Sequence, residues 1–468
     1  MIPNANRPDR LTLALLFAGL AVARLCHSAI VWVEEAYPAA AAIQVLSGKA
    51  LYRDVWFDKP PLSALVYLLW DARMGVLLRI AGAALVFACC LMLWRFARDL
   101  WGPREGLAAA LLLGFFLTFG IPAAVMALAP DLLMVLPHIA AVYLAWRGRP
   151  LLSGFVAGVA LLVNAKAFFV LAACIFFAWR GAGWLLAGFA IPNIVALIWF
   201  GQPYVDQVWR WGAMYSEQTF PLATGFIRTA NWAGFQAALI VGAAFALWKE
   251  DRCRWKMIAW LLLPLVAVAA GWRFFPRYYF QLLPVLALLA ARGYTALGRC
   301  RAVMLALLLI PLIRFGPRYV MLANDLVHQR QSNWSDVALN EDSQAAADRI
   351  GHAGTPAEAL RAETLLVWGY RPDIFTYTRM PAGSRFLDSQ PLTGVLADRH
   401  LTTSEAFAPA WAARNRRELI ASDPTWIVDG LGPLNPALAI TNYPDLSEWL
   451  GSYREVGRTR FSIIYQLK

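Results

Sequence analysis

The sequence predicts a mainly α membrane protein, a polytopic helical bundle of about eleven spans followed by a small external α/β domain at the carboxyl end. Three observations carry that expectation. Hydrophobic residues make up 60% of the chain and charged residues only 15%, where a soluble chain has about a quarter of its residues charged. The apolar residues gather into long runs joined by short connections rich in Arg. After about Asn324 the runs give way to short β-like and helical stretches, the pattern of a compact soluble domain.

A spanning helix needs roughly 20 mainly apolar residues, and fewer when it is buried among others. Such segments lie near 11–32, 74–96, 105–121, 130–146, 151–164, 167–179, 184–200, 231–248, 257–272, 279–297 and 302–316. Basic residues cluster on alternate connections: Arg7 and Arg10, Arg95 to Arg104, Arg147 and Arg149, Arg180, Lys249 to Lys256, and Arg299 with Arg301. By the positive-inside rule these connections are cytoplasmic. The amino terminus is then inside, and an odd number of spans puts the carboxyl end outside. The expected domains are 1–324 in the membrane and 325–468 beyond it, in the periplasm if the membrane is the inner membrane of a bacterium. No small-residue cleavage site follows the first span, which is expected to stay as an anchor.

The net charge of +12 belongs to this topology, because no basic run with interleaved aromatics stands in a soluble segment. Nucleic acid is therefore not an expected partner. Cys26, Cys89, Cys90, Cys174, Cys253 and Cys300 fall in spans or cytoplasmic connections without metal-ligand spacing, so no disulfide framework is implied. In the carboxyl-terminal domain ETLLVWG, TWIVDG and FSIIYQL read as strands, and SEAFAPAWAARNRRELI and YPDLSEWLGSY as helices. It carries no GxSxG and no phosphate-binding glycine loop, and His328, His352 and His400 are scattered.

Chemistry is expected in the outward connections. Residues 33–62, VEEAYPAAAAIQVLSGKALYRDVWFDKPPL, place the pairs Glu34–Glu35 and Asp58–Lys59 directly after an apolar span. Charges beside a span are costly unless they face water, a partner or a substrate. Asp131 opens another span, where it could cap the first turn or serve a site. The stretch 201–228 is rich in aromatics and suits a helix in the interface plane. Arg273 and Arg277 stand at the outer mouth of two spans, placed either to snorkel to headgroups or to grip a phosphate. Lys166 sits between two short spans. Fixed cations beside free carboxylates suit an anionic, lipid-bound substrate. Breaking a bond at an anomeric carbon builds positive charge on the sugar while the leaving phosphate gains negative charge, and this residue set answers both needs.

The run from Glu34 to Leu62 resembles the first external loop of the membrane-embedded glycosyltransferases with the GT-C fold. The relatives in view are the bacterial dolichyl-phosphate-mannose protein mannosyltransferase relatives and the lipid A aminoarabinose transferase. Gly48, Tyr52, Asp54, Lys59, Pro60 and Pro61 match that pattern in order, and RFFPRYYFQLLPVLALLAA resembles a later family segment. The resemblance implies a GT-C-like transmembrane domain that moves a sugar from a polyprenyl-phosphate donor to a lipid, glycan or protein acceptor. It implies catalytic roles for Glu34, Glu35 and Asp131, and donor-phosphate contacts from Asp58, Lys59, Lys166, Arg273 and Arg277. Two positions depart from the family: Glu34 stands where Asp is usual, and Arg277 where His is usual, which implies a phosphate clamp there. No metal-ligand spacing is present; a divalent cation on the carboxylates is the one cofactor to consider. The alternative reading is a transporter or lipid flippase with an outward-facing charged cavity.

Overall fold

A computed structural model describes residues 7–249, 253–298, 301–328, 330, 334–351 and 363–468. Arg299, Cys300 and His352, named above, lie outside the described residues. Each of the eleven apolar segments falls on a helix. They are α1 (Arg7–Leu25), α3 (Val76–Leu100), α4 (Pro103–Phe116), α5 (Pro130–Trp146), α6 (Pro150–Leu161), α7 (Ala167–Phe177), α8 (Ala182–Tyr204), α10 (Ala237–Lys249), α11 (Arg254–Ala269), α12 (Leu283–Ala296) and α13 (Arg301–His328). Before α10 comes α9 (Leu222–Phe235), bent from it by 81°.

By length and apolarity alone, three helical runs among the described residues could cross a membrane: α3, the run Trp179–Ser216 that contains α8, and α13. The pair α9 and α10 would make a fourth if counted as one span. Of the remaining helices α1 has the length of a span but carries Arg7, Asp9, Arg10 and Arg24, and the others are shorter than a span needs on its own, so the protein has an apolar helical bundle with at least three candidate spans among the described residues, fewer than the eleven expected. The last helix also runs to His328, well past the expected end at 316 and through Asn324. Short helices survive in such a bundle because they pack closely. Between α6 and α8 the approach is backbone to backbone: a Cβ on Gly154 would lie 1.8 Å from the Leu185 carbonyl oxygen, so only glycine fits.

The first connection folds into α2 (Val33–Leu46). This helix does not lie free at an interface; Glu35 to Gln44 are all buried. One face meets the bundle. The other shares a core with the carboxyl-terminal domain, in which Tyr37, Ala40, Tyr52 and Phe57 pack with Leu365, Val367, Trp426 and Val428. That domain is an α/β unit, with a four-stranded sheet in the order β1 (Leu365–Trp368), β2 (Trp426–Asp429), β4 (Ile463–Leu467), β3 (Tyr453–Arg458). The β1–β2 pair is parallel, and both strands are buried throughout, as their unbroken apolar runs require. The helices are α14 (Ser335–Gly351), α15 (Asp373–Thr378) and α16 (Pro409–Ile420). Strand β3 was not expected: Tyr453 ended the helix read in YPDLSEWLGSY, and YREVGR exposes most of its side chains; pairing with β4 forms it. YPDLSEWLGSY supplies only short turns of helix, Pro444–Leu446 and Ser447–Leu450.

The connection and the domain are sewn together by polar contacts. Gln44 bonds the Met380 carbonyl and the Ala382 N–H. The Trp56 N–H donates to the Arg385 carbonyl at 2.7 Å. Asn340 on α14 accepts from the Val31 N–H and donates to the Ala29 carbonyl. The charged connection therefore lies between the bundle and the α/β domain and is held by both.

Candidate active site

The sequence itself dictates how α2 presents Glu34. Pro38 lies in the interior of the helix and has no N–H, so the carbonyl four residues earlier, that of Glu34, loses its helical partner. The next residue, Glu35, reaches back to the Trp32 N–H at 3.1 Å. Successive residues of a helix point about 100° apart, so the two glutamates part ways.

Lys59 is fixed by its chain neighbours. A residue before proline is confined to extended backbone, and Pro60 and Pro61 follow it. The Tyr52 hydroxyl donates to the Lys59 carbonyl at 2.7 Å. Tyr52 itself holds a left-handed backbone (φ 68), a conformation that a bulky residue keeps only when its surroundings enforce it. Gln207 enforces it, donating to the Tyr52 carbonyl at 2.7 Å and accepting from the Phe57 N–H at 2.8 Å. Gln207 sits in a π-helical turn, Val205–Arg210, within the aromatic stretch that was expected to lie in the interface plane.

These elements meet around a cavity of ≈ 370 Å³ between the bundle and the α/β domain. Six of the eight candidate residues line it: Glu34, Asp58, Lys59, Asp131, Lys166 and Arg277. They form linked ion pairs. Arg277 Nη1 donates to Glu34 Oε1 at 2.9 Å, and its Nε lies 3.5 Å from Asp131 Oδ2. Asp131 Oδ1 accepts from Lys166 Nζ at 2.7 Å and from Asn164 Nδ2 at 3.1 Å. Lys166 Nζ also stands 3.0 Å from the centre of the Tyr278 ring. The Asp131 carboxylate is thus committed to cations across the cavity and not to the N–H groups of its own helix. Lys59 pairs with its neighbour Asp58, both oxygens at 2.9 Å, and stays 39% exposed. Among the cavity cations it is the most open to a ligand.

Two candidates do not reach the cavity. Glu35 is fully buried and is held by Arg79, with contacts of 2.5 and 3.0 Å, and by the Leu128 N–H at 2.9 Å. Arg273 is buried and pairs with Asp398 of the α/β domain, stacked 4.3 Å from the Tyr215 ring. Both serve to hold parts together. Asp54, from the Tyr-x-Asp match, closes its own turn on the Ala50 N–H at 2.9 Å.

The α/β domain supplies part of the wall through Tyr370, Gln390, Ala397 and Asp398. Sequence reasoning missed all four. Nothing local marks them, because strand ends and loops of one domain are brought over the mouth of another only by the tertiary fold. Arg24 and Arg79 were also missed, although a guanidinium inside an apolar run is a readable signal.

Beneath this wall Asp388 is buried, with Oδ1 accepting from the Gln390 N–H at 2.7 Å. Burial, with the Asp58 carboxylate nearby, pushes its carboxyl up from 3.8 to about 7. Burial likewise pushes the Tyr370 phenol up, so it stays a protonated donor. The carboxyl holds its proton more tightly when folded, so its contribution to stability is complete below the unfolded value near 4 and is lost as pH rises through about 7. That interval corresponds to roughly 4 kcal/mol at most. Melting curves from pH 4 to pH 8 should show the Asp388→Asn protein losing less stability than the wild type over this window; parallel curves would refute the assignment.

Among the described residues no group of three or more His, Cys, Asp or Glu side chains could hold a metal ion. The cavity carboxylates also fit a divalent cation poorly, since Glu34, Asp58 and Asp131 each already face a Lys or Arg.

No protein-family model matches the sequence, and no curated protein matches it. Solved structures do match over nearly the whole chain. The crystal structure of ArnT from Cupriavidus metallidurans bound to undecaprenyl phosphate aligns with a TM-score of 0.57 at 15% identity, covering 97% of this chain and 97% of that one. The Archaeoglobus fulgidus oligosaccharyltransferase in complex with Zn and sulfate gives 0.53 at 12% identity, covering 94% and 71%. AglB from the same organism, in complex with an inhibitory peptide and a dolichol-phosphate, gives 0.53 at 11%, covering 99% and 74%. The chain has a GT-C fold.

Proposed function

We propose that the protein is a membrane glycosyltransferase that moves a sugar from a polyprenyl-phosphate carrier to an acceptor on the outer face of the inner membrane. One observation carries the reading: Glu34, Arg277, Asp131 and Lys166 form a continuous chain of ion pairs in a single cavity that Lys59 also faces. The GT-C fold supports it, as does the undecaprenyl phosphate bound to ArnT. In this proposal residues 1–324 form the membrane part and 325–468 the external domain.

Each group has a role in a balanced transfer. The acceptor hydroxyl or amine attacks the anomeric carbon, the bond from that carbon to the phosphate oxygen breaks, and the electron pair leaves on the phosphate. The proton passes to the Glu34 carboxylate. Lys59 and Arg277 meet the carrier phosphate, whose charge grows in the transition state, so their stabilisation is greatest where it accelerates the reaction. Arg277 has five N–H donors, and Glu34 and Asp131 engage Nη1 and Nε; the guanidinium can hold base and phosphate together. Asp58 orients Lys59, and Asp131 fixes Lys166 and Arg277. Attack opposite the leaving phosphate inverts the anomeric centre.

The test uses the protein in vesicles with a labelled polyprenyl-phosphate sugar and an envelope extract as acceptor source. A new glycosidic bond is expected; labelled material crossing the vesicle wall with no new bond would establish the transporter reading instead. In the same assay Arg277→Lys, which keeps the charge and removes the fork, is expected to lower turnover on the order of a hundredfold. Wild-type rates would remove Arg277 from the phosphate site.

A further inference from the structure

A second and larger cavity lies far from the first. It is a groove of ≈ 1260 Å³ between α1, α4, α12 and the start of α13. Its walls are apolar for most of their length, with Leu15, Leu16, Leu111, Phe115, Leu305 and Leu308 among them. The charged side chains gather at one end. There Glu105 accepts from Arg292 at 3.0 Å and from the Thr295 hydroxyl at 2.9 Å, and Arg301 donates to the Thr295 carbonyl at 2.9 Å. Arg104, exposed at the start of α4, lines the same end.

Position and length say which compartment the groove serves. Arg79 is fixed next to the candidate active site, and from there α3 continues to Leu100 before the chain turns into α4. At 1.5 Å per residue that path is about 32 Å, close to the hydrocarbon thickness of a bilayer. The charged end of the groove is therefore at the opposite membrane surface from the active site. Along α1 the lining runs from Thr12 to Ala23, a rise of about 17 Å, which matches one leaflet.

The charges do not cancel. Among the described residues lining the groove, three guanidiniums, Arg104, Arg292 and Arg301, accompany one carboxylate, Glu105. A cationic rim above an apolar slot one leaflet deep complements a lipid with an anionic head. A Cβ added to Gly19 would meet nothing within 4 Å, so the groove is open along this face of α1. In a bilayer such a volume does not stay empty, because a void forfeits the contacts of every side chain around it.

We propose that this groove is a binding site for an anionic phospholipid of the leaflet opposite the active site, with the phosphate against Arg104 and Arg301 and one acyl chain laid along α1 and α4. Arg292 stays with Glu105 and shapes the rim. The lipid completes the packing of α1 and α13 against the bundle.

The full chain, extracted gently from bilayers of equal phosphatidylglycerol and phosphatidylcholine, tests this by native mass spectrometry of the retained lipid. Two surface cations predict retention of phosphatidylglycerol over phosphatidylcholine by roughly thirtyfold. The Arg104→Gln, Arg301→Gln double variant should lose that preference while its thermal midpoint stays near that of the wild type, since both side chains are exposed. Gly19→Phe, whose ring enters open space, should expel the lipid whatever its head group while the thermal midpoint shows the protein still folded. Equal retention of the two lipids, no retained lipid, a retained isoprenoid phosphate in place of the phospholipid, or full retention by Gly19→Phe would each overturn the proposal.

Discussion

Replacing Glu34 with Gln is expected to lower sugar transfer by about 10²–10⁴-fold, the range for removing a general base, with the Michaelis constant for the lipid donor changed only a few-fold. The substitution keeps the shape and the hydrogen bond to Arg277, which now meets a neutral oxygen in place of the carboxylate 2.9 Å away. In the proposed mechanism Lys59 and Arg277 hold the carrier phosphate, so donor binding is expected to survive while proton removal fails. Glu34→Asp gives the complementary measurement. The side chain shortens by one methylene, so a base now paired with Arg277 withdraws by about a bond length, and misplacement of that order costs roughly a hundredfold. The order wild type, Asp, Gln in initial rates is the expected result. Full activity of the Gln variant would remove Glu34 from the chemistry.

How far all this could be read from the sequence depends on the range of the interaction concerned. Apolar runs of helical length revealed the helices, because their burial is decided residue by residue. The runs LLVW and WIVD revealed two buried strands for the same reason. That Lys59 and Glu34 stand at the cavity was legible because a proline pair and a charge pair beside a span are local signals. Assigning Glu35 and Arg273 to the site failed for a common physical cause: a charge has no direction until its partner is known. Arg79 lies 44 positions from Glu35, and Asp398 belongs to the other domain. Tyr370 and Gln390 were invisible for that reason too. A sequence states which groups are costly to bury, and only the fold states what relieves the cost.

The largest effect on stability is expected at Arg79. Its guanidinium is 1% exposed and makes five contacts: both Glu35 oxygens and the carbonyls of His27, Ile30 and Met126. Arg79→Leu leaves the fully buried Glu35 carboxylate without its cation, a loss of roughly 3–5 kcal/mol for a broken buried pair. Thermal unfolding in detergent should fall steeply for this variant and for Glu35→Leu alone. Removing both charges in the Arg79→Met, Glu35→Leu protein should restore part of the lost stability, because an apolar pair needs no mutual neutralisation, while the His27 and Ile30 carbonyls and the Trp32 and Leu128 N–H groups still lose their side-chain partners. Activity should not return with it. The same pair ties the start of α2, which carries Glu34, to the segment 126–128 just before Asp131, since Glu35 also accepts from the Leu128 N–H. With the charges gone, the fold can repack while those two carboxylates lose their common anchor, and positioning errors of about 1 Å suffice to suppress transfer. Single variants that melt like the wild type would show that Glu35 and Arg79 do not hold the site together, and a fully active double variant would show that Glu34 and Asp131 are positioned by other contacts.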